Sequence, residues 1–450
     1  MMHELRRLAD VLQITIPEGL GGTFNRIVTD TRRLEPGDVY VALRGQQFDG
    51  HRFVAQALQA GASAALVEQA EDDDVRQLVV PDTRLALGLL GRAFRRQWGG
   101  QVLAVTGNSG KTTVKEMLGA IVSREAPSLV TEGNLNNDFG APMTLLRLLP
   151  DHRRAVIELG ANHTGEIAWT ASLAEPNIAV VTNVTGAHVG EFGSPGLIAQ
   201  TKGELVAALP DDGVAVLNHD DHYFPFWSAC ASPRRVVSFG FDPRADVRAE
   251  ALTCDADGHY AFDLMAHGEC LGRVQLGVLG RYNVSNALAA AAAAQLAGLD
   301  GDTILAGLAS FESGRGRMRA VAGCRGTRLL DDSYNANPGA MCAAIDVLAS
   351  LPGPRWFFMG AMGELGSTSE DSHYRVGAYA RKAGLDMICT FGEGAQPAAA
   401  AFGSEGRHFD DWDAFEAFAL QHLPAGASAL VKGSRSARME RLVEALSAGR

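Results

Sequence analysis

Val102-Leu103-Ala104-Val105-Thr106, a short apolar run, passes directly into Gly107-Asn108-Ser109-Gly110-Lys111-Thr112-Thr113 and then into a helical pattern lasting to Val122. Strand, glycine-rich turn and helix in that order point to an α/β fold. The turn lies where backbone N–H groups and a helix N-terminus can face an anion. In such a turn Gly107, Asn108, Ser109 and Gly110 form the cradle and Lys111 reaches the β/γ-phosphates. The Thr112 hydroxyl is suited to ligate Mg²⁺, with Thr113 beside it. The spacing is short: the usual phosphate-loop pattern has glycine five positions before Gly110, where this chain has Val105. The strand-before, helix-after context still favours a nucleoside triphosphate over a chance Gly-Lys-Thr.

Similar apolar runs recur at Ala155-Val156-Ile157, Ile178-Ala179-Val180-Val181 and Val214-Ala215-Val216-Leu217. Helix-length stretches separate them, so they fit strands of a mostly parallel sheet covered on both faces. An alanine-rich stretch over 287–297, too short for a membrane span, reads as a buried helix closing this unit near Gly298. Toward the N-terminus, Pro36-Gly37-Asp38 turns into Val39-Tyr40-Val41-Ala42-Leu43, followed by a helix over 53–60 ended by Gly61 and the strand-like Ala64-Ala65-Leu66-Val67. That is a βαβ pattern and predicts a small α/β domain. Toward the C-terminus, strand-like runs near 328–331, 356–359, 387–390 and 429–431 alternate with helices over 338–349 and 374–383. This is the order of a Rossmann-like doubly wound sheet. Three domains follow, over 1–100, 101–312 and 313–450.

The chain has 450 residues, long enough for several cores. Forty Lys and Arg against 52 Asp and Glu give a net charge of −12, with 46% hydrophobic residues, which excludes wholesale disorder and argues against nucleic acid or a membrane surface as the main partner. The six cysteines are scattered, with no C-x-x-C pair. The first residues lack the apolar core of a secretory signal. Both features suggest a reducing, cytoplasmic setting, and no membrane span is expected.

The loop 106–113 resembles that of the Mur ligases, ATP-dependent enzymes that build the peptide stem of bacterial cell-wall precursors. Four further stretches carry the resemblance: Glu132-Gly133-Asn134-Leu135-Asn136-Asn137-Asp138-Phe139-Gly140-Ala141-Pro142, Glu158-Leu159-Gly160-Ala161-Asn162, Asp331-Asp332-Ser333-Tyr334-Asn335-Ala336-Asn337-Pro338 and Val431-Lys432-Gly433-Ser434-Arg435-Ser436. They occur in the family's order, from about Thr29 to Glu444, across all three domains. The Asn134–Asn137 and Tyr334–Pro338 runs look like the branch that joins D-alanyl-D-alanine to UDP-N-acetylmuramoyl-tripeptide. The resemblance thus implies those two substrates, ATP, two Mg²⁺ ions and a cytoplasmic monomer.

Site residues follow by the same matching. Glu158, ending an apolar run, would pass alone for a surface glutamate closing a strand. It also stands where α/β sheets put ligands, and a carboxylate there can hold Mg²⁺. The resemblance assigns Thr112, Glu158, His188 and Lys202 to the metals, with Lys202 carbamylated by CO₂ to give an anionic oxygen donor. Otherwise His188 reads as a solvated loop histidine and Lys202 as an exposed helix lysine. Asn283 and Asn286, ahead of the alanine-rich helix, match the family's adenine-contacting asparagines, although N-capping would also suit Asn283. Arg317 matches a γ-phosphate contact and Asp332 a ribose contact. Lys432 and Arg435 could pair with a carboxylate or phosphate, or form a solvated basic loop. Thr31, Arg32, Gly45, Asp49, Gly50 and His51 resemble the nucleotide-sugar platform, Thr31 replacing the usual serine. Asn134, Asn136, Asn137, Tyr334, Asn335 and Asn337 are implied in binding the muramoyl peptide or the dipeptide. Asn134, Asn136 and Asn137 also read as a polar turn. Lys111, Lys202 and Arg317 are the implied catalytic groups.

No Ser-His-Asp or Cys-His constellation stands out, which suits acyl-phosphate chemistry needing no covalent nucleophile. A guanine-reading Asn-Lys-x-Asp run is absent, against a GTPase-like switch. The arginine-rich amino-acid motif expected in the third domain of the ligase that adds the third residue of the stem is absent from this sequence. Folylpolyglutamate synthases share the ATP and C-terminal domains but lack such an N-terminal platform. Contacts to ATP from two domains imply hinge closure.

Overall fold

The quoted run forms the strand Gln101–Thr106 inside a nine-stranded sheet. The computed structural model describes residues 4–45, 48–70, 74–185 and 192–447. Side chains alternate along that strand: Leu103 and Val105 join one apolar core and Val102 and Ala104 the other, all fully buried. On the first face lie the helices Lys111–Val122 and Arg281–Leu296, and on the second the helices Glu166–Ala174, Pro195–Ala207 and Phe224–Ala231. The strands Arg154–Glu158, Ile178–Val181 and Val214–Asn218 fall on the expected runs and pair in parallel.

Two departures have clear physical causes. The sheet continues through Val247–Cys254 into the antiparallel strands His259–Ala266 and Glu269–Leu279, none of which the apolar runs announced. Their outer faces are wet, so buried Val274, Leu276 and Val278 alternate with polar or small residues instead of forming a continuous run. The domain does not end at Gly298 either. A further helix, Gly301–Ala309, capped by Asp300 on Thr303 N at 2.7 Å, buries Ile304 and Leu308 in the same core as the alanine-rich helix.

The N-terminal sheet is four short parallel strands, Ile27–Val28, Val39–Val41, Ala64–Val67 and Gln77–Val79. The helix Thr83–Trp98 follows, capped by Asp82 and ended by Gly99 in left-handed backbone. It buries Leu87, Leu90 and Phe94 in its own domain, while its Arg95 Nε donates to Ala174 O at 2.9 Å in the next. The C-terminal sheet has six strands, with Arg319–Ala322 antiparallel at one edge. The other five, in spatial order Arg328–Asp332, Ser428–Lys432, Arg355–Gly360, Met387–Phe391 and Gly406–Phe409, are parallel. Helix Pro338–Ser350 occupies its expected stretch, and Ser369–Lys382 covers most of the one expected over 374–383 but begins five residues earlier. The carboxyl ends of Gln101–Thr106, Arg154–Glu158 and Arg328–Asp332 border one cleft, where open α/β sheets receive ligands.

Candidate functional site

The cleft has a volume of about 570 Å³ and is lined by both the central and the C-terminal domain. Its floor is the phosphate loop. Two of its glycines are needed. Gly107 sits at φ +142, where a Cβ would lie 1.9 Å from Thr182 Oγ1, and Gly110 sits at φ +83, where one would lie 2.4 Å from Asn286 Oδ1. Gly110 opens the helix Lys111–Val122 with no side chain capping it, so none competes with a ligand for the first helical N–H groups. Lys111 Nζ donates to Gly107 O at 2.8 Å and Asn108 O at 3.0 Å. Burial lowers its proton affinity and Arg317 lowers it further, while Glu158 opposes both. Asn108, Ser109, Gly110, Lys111, Thr112 and Thr113 line the cleft, and Gly107 stands behind it.

Glu158 ends its strand and is buried. Its N–H donates to Thr131 Oγ1 at 3.0 Å, Oε1 accepts from Asn136 Nδ2 at 2.7 Å, and Oε2 is buried without a hydrogen-bond partner among the described residues. A bare carboxylate oxygen beside a lysine and a threonine hydroxyl fits a hard divalent cation that takes its other ligands from phosphate and water. Among the described residues no cluster of three or more His, Cys, Asp or Glu forms a ready-made metal cage. Asn134, Asn136 and Asn137 line the wall next to Glu158, and Asn137 also accepts from Gly140 N at 2.9 Å.

The alanine-rich helix begins earlier than its composition suggests. Arg281 is its first residue and Gly280 its N-cap, so Asn283 and Asn286 lie inside the helix rather than ahead of it, and neither caps it. Asn283 Nδ2 donates to Leu279 O at 2.8 Å, and its Oδ1 accepts from Asn286 Nδ2 at 2.8 Å, fixing both amides at the cleft edge.

From the C-terminal domain come Arg317, Asp332, Tyr334, Asn335 and Asn337. The Arg317 guanidinium lies 4.2 Å from the Tyr334 ring centroid, which holds its planar group without neutralising it. Asp332 Oδ2 accepts from Lys432 Nζ at 2.6 Å, and Lys432 also donates to Asn335 O at 2.9 Å. Lys432 is therefore a buried, paired cation rather than part of a solvated loop, whereas Arg435 is exposed, pairs with Glu440 and does not line the cleft. The two domains touch at the loop itself: Asn337 Nδ2 donates to Ser109 Oγ at 3.3 Å while its Oδ1 caps the helix Pro338–Ser350 at Ala340 N. Next to it, a Cβ on Gly339 would lie 2.8 Å from Thr185 O.

Lys202 corrects the reading of an exposed helix lysine. It is 2% exposed on the helix Pro195–Ala207, 5.6 Å from the Phe192 ring centroid. Burial, then the Lys111 charge, pull its amine down to about 7. It does not line the cleft. His188 lies outside the described residues.

The N-terminal platform forms a separate polar surface, with none of its six residues in the cleft lining. Asp30 accepts from Arg32 N at 3.0 Å and Arg32 Nε at 2.9 Å, and these bonds hold its carboxyl near 2. Thr31 and Arg32 form the short turn that follows. Asp49 accepts from His51 N at 3.0 Å and His51 Nδ1 at 2.7 Å, while His51 Nε2 accepts from Glu68 N at 3.0 Å. That pair fixes the Nδ1–H tautomer. A Cβ on Gly50 would strike Leu43 backbone at 2.8 Å, and Gly45 N donates to Phe48 O at 2.7 Å.

The cleft also includes Asn162, Glu166, Asn183, Thr185, Tyr282 and Ser285, which sequence reasoning missed. The signal for Asn183 and Thr185 was present: polar residues directly after the strand Ile178–Val181 stand at a carboxyl end beside the phosphate loop.

Three family models match the chain: the Mur ligase family, catalytic domain, over residues 23–95; the Mur ligase middle domain over 105–294; and the Mur ligase, glutamate ligase domain, over 316–435. The chain is 44% identical over 448 residues to the UDP-N-acetylmuramoyl-tripeptide–D-alanyl-D-alanine ligase of Escherichia coli K12, a match covering 98% of each. A crystal structure of MurF from Acinetobacter baumannii superposes with a TM-score of 0.91 at 38% identity, covering 98% of this chain and 97% of that one. The MurF ligase of Thermotoga maritima, solved in complex with ADP, gives a TM-score of 0.85 at 29% identity, over 94% and 96% of the two chains. With its three domains matched in order and its whole length aligned, the chain belongs to the Mur ligase family.

Proposed function

We propose that the protein joins the amine of D-alanyl-D-alanine to the terminal carboxylate of UDP-N-acetylmuramoyl-tripeptide, cleaving ATP to ADP and phosphate. The observation that carries this reading is the convergence of the phosphate loop, Glu158 and the C-terminal Arg317 and Asp332 on one cleft. The names of the relatives supply the substrates.

A carboxylate is a poor acyl donor because oxide would have to leave. Transfer of the γ-phosphoryl group onto the tripeptide carboxylate gives an acyl phosphate, whose leaving group is phosphate. The dipeptide amine attacks, a tetrahedral intermediate collapses, and an amide forms. In this scheme Lys111 and Arg317 face the negative charge of the transferring group, and the first N–H groups of the helix Lys111–Val122 add their dipole. Asn283 and Asn286 border the adenine, and Asp332, oriented by Lys432, meets the ribose. The wall containing Asn134, Asn136 and Asn137 and the Tyr334–Asn337 turn bind the peptide substrates.

Two Mg²⁺ ions belong in this scheme, with Thr112 and Glu158 suited to hold one, and His188 and Lys202 assigned to the other. Mg²⁺ would supply Lewis-acid neutralisation of phosphate charge. Burial leaves a large neutral fraction of Lys202 at physiological pH. Its lone pair can therefore add to CO₂, lose a proton and become a carbamate.

We assign residues 1–100 to nucleotide-sugar binding through Thr31, Arg32, Gly45, Asp49, Gly50 and His51, residues 101–312 to ATP, and residues 313–450 to the ligase domain. The protein acts as a cytoplasmic monomer and closes by a hinge between its second and third domains. Among the described residues no helix is long and apolar enough to cross a membrane. The deciding experiment measures phosphate release with ATP, UDP-N-acetylmuramoyl-tripeptide and each candidate amine. Release is expected with D-alanyl-D-alanine; release only with a free diamino acid on the dipeptide precursor would sink the assignment.

A further inference from the structure

Besides the Lys111 bonds within it, the phosphate loop is held by residues that directly follow a neighbouring strand. Directly after the strand Ile178–Val181, Asn183 grips Ser109 at both ends of its backbone: Oδ1 accepts from Ser109 N at 3.0 Å and Nδ2 donates to Ser109 O at 3.1 Å. The carbonyl of Asn183 accepts from Asn108 N at 2.9 Å. Thr182 Oγ1 adds a second bond to Ser109 O at 2.7 Å, and Thr185 Oγ1 lies 3.0 Å from Ser109 Oγ. A further tier holds this segment in turn, with Asn218 Nδ2 donating to Thr182 O at 2.8 Å and Asp221 Oδ2 accepting from Val184 N at 2.8 Å.

In the longer phosphate-loop pattern, two more residues between the glycines let successive N–H groups curl around the anion. Here the N–H groups of Asn108 and Ser109 are committed to Asn183. The N–H groups left for a phosphate are those from Gly110 onward, together with the Lys111 amine. We infer that Asn183 is a positioning residue for phosphate binding: its side chain clamps Ser109 and withdraws that N–H from the nucleotide, as its backbone carbonyl does for Asn108. The inference rests on the nucleotide reading of the cleft.

The test is calorimetric titration of Mg-ADP into the wild type, Asn183→Ala, Thr182→Val and Lys111→Ala, with KM for ATP and for the nucleotide-peptide measured alongside. Asn183→Ala removes two side-chain hydrogen bonds from the loop and should weaken ADP and raise KM for ATP by about tenfold or more. KM for the nucleotide-peptide should move less than about twofold, a split that general loss of structure would not give. Thr182→Val removes one bond at constant volume and should shift the same constants in the same direction by less, so it decides the matter if Asn183→Ala does not fold. ADP binding unchanged in both variants but lost in Lys111→Ala would overturn the role of Asn183. ADP binding unchanged in Lys111→Ala as well would instead overturn the nucleotide reading of the cleft.

Discussion

Asn136 Nδ2 donates to Glu158 Oε1 at 2.7 Å and leaves Oε2 buried without a hydrogen-bond partner among the described residues. One residue from the wall proposed for peptide binding thus orients the carboxylate proposed for metal. Glu158→Gln keeps the shape but loses the anionic oxygen. It should lower kcat/KM by about 100-fold or more and raise the Mg²⁺ concentration needed for half-maximal rate. Steady-state rates across a Mg²⁺ titration test this; an unchanged Mg²⁺ dependence would refute the metal role.

Lys111→Ala should abolish turnover with little change in melting temperature, because the hydrogen bonds of Lys111 Nζ go to Gly107 O and Asn108 O of its own loop. Phosphate release and a thermal melt on the same preparation suffice. Retained activity would exclude the phosphate role.

Lys202 gives a pH prediction with a definite sign. Burial disfavours its charged form in the fold but not in the unfolded chain, so its folded value of about 7 lies below the ordinary lysine value. The folded protein therefore binds fewer protons above that pH, and the penalty, complete below about 7, is relieved as pH rises. In CO₂-depleted buffer, Lys202→Met should be more stable than the wild type at pH 6, and the gap should narrow above pH 7. Activity should rise with added bicarbonate and vanish in Lys202→Met. A bicarbonate-independent rate would refute carbamylation.

In the Asp332–Lys432 pair the lysine is buried and the aspartate is 14% exposed at the cleft. Lys432→Met leaves Asp332 charged and unpaired, which costs roughly 3–5 kcal/mol, whereas Asp332→Asn with Lys432→Met removes both charges and should recover much of it. Denaturant unfolding of the single and double variants checks this. The double variant should remain impaired in KM for ATP, separating the pair's structural role from its nucleotide role.

Legibility in the sequence followed how local each feature is. The glycine-rich loop was readable because strand, turn and helix are contiguous, whereas Glu158 read alone as a surface glutamate and was singled out by the family resemblance. For Asn183 the local signal, a polar residue directly after an apolar run, was present, but its partner was not, because that depends on Ile178–Val181 lying beside Gln101–Thr106, a fact of sheet order. Lys202 was misread as solvated because the surrounding helix buries Ile198, Thr201, Leu205 and Val206 over a wide arc, leaving no clear polar face for it. The antiparallel strands were legible only through the alternation of Val274, Leu276 and Val278, diluted by residues such as Arg273 on the wet face.

Gly339 stands where the C-terminal helix meets Thr185, with no room for a side chain between them. A Cβ there would lie 2.8 Å from both Thr185 O and Thr185 Cβ, so the two domains meet with only the glycine backbone on one side. In the hinge closure proposed above, this close approach would limit how far the C-terminal domain, with Arg317, moves toward the loop.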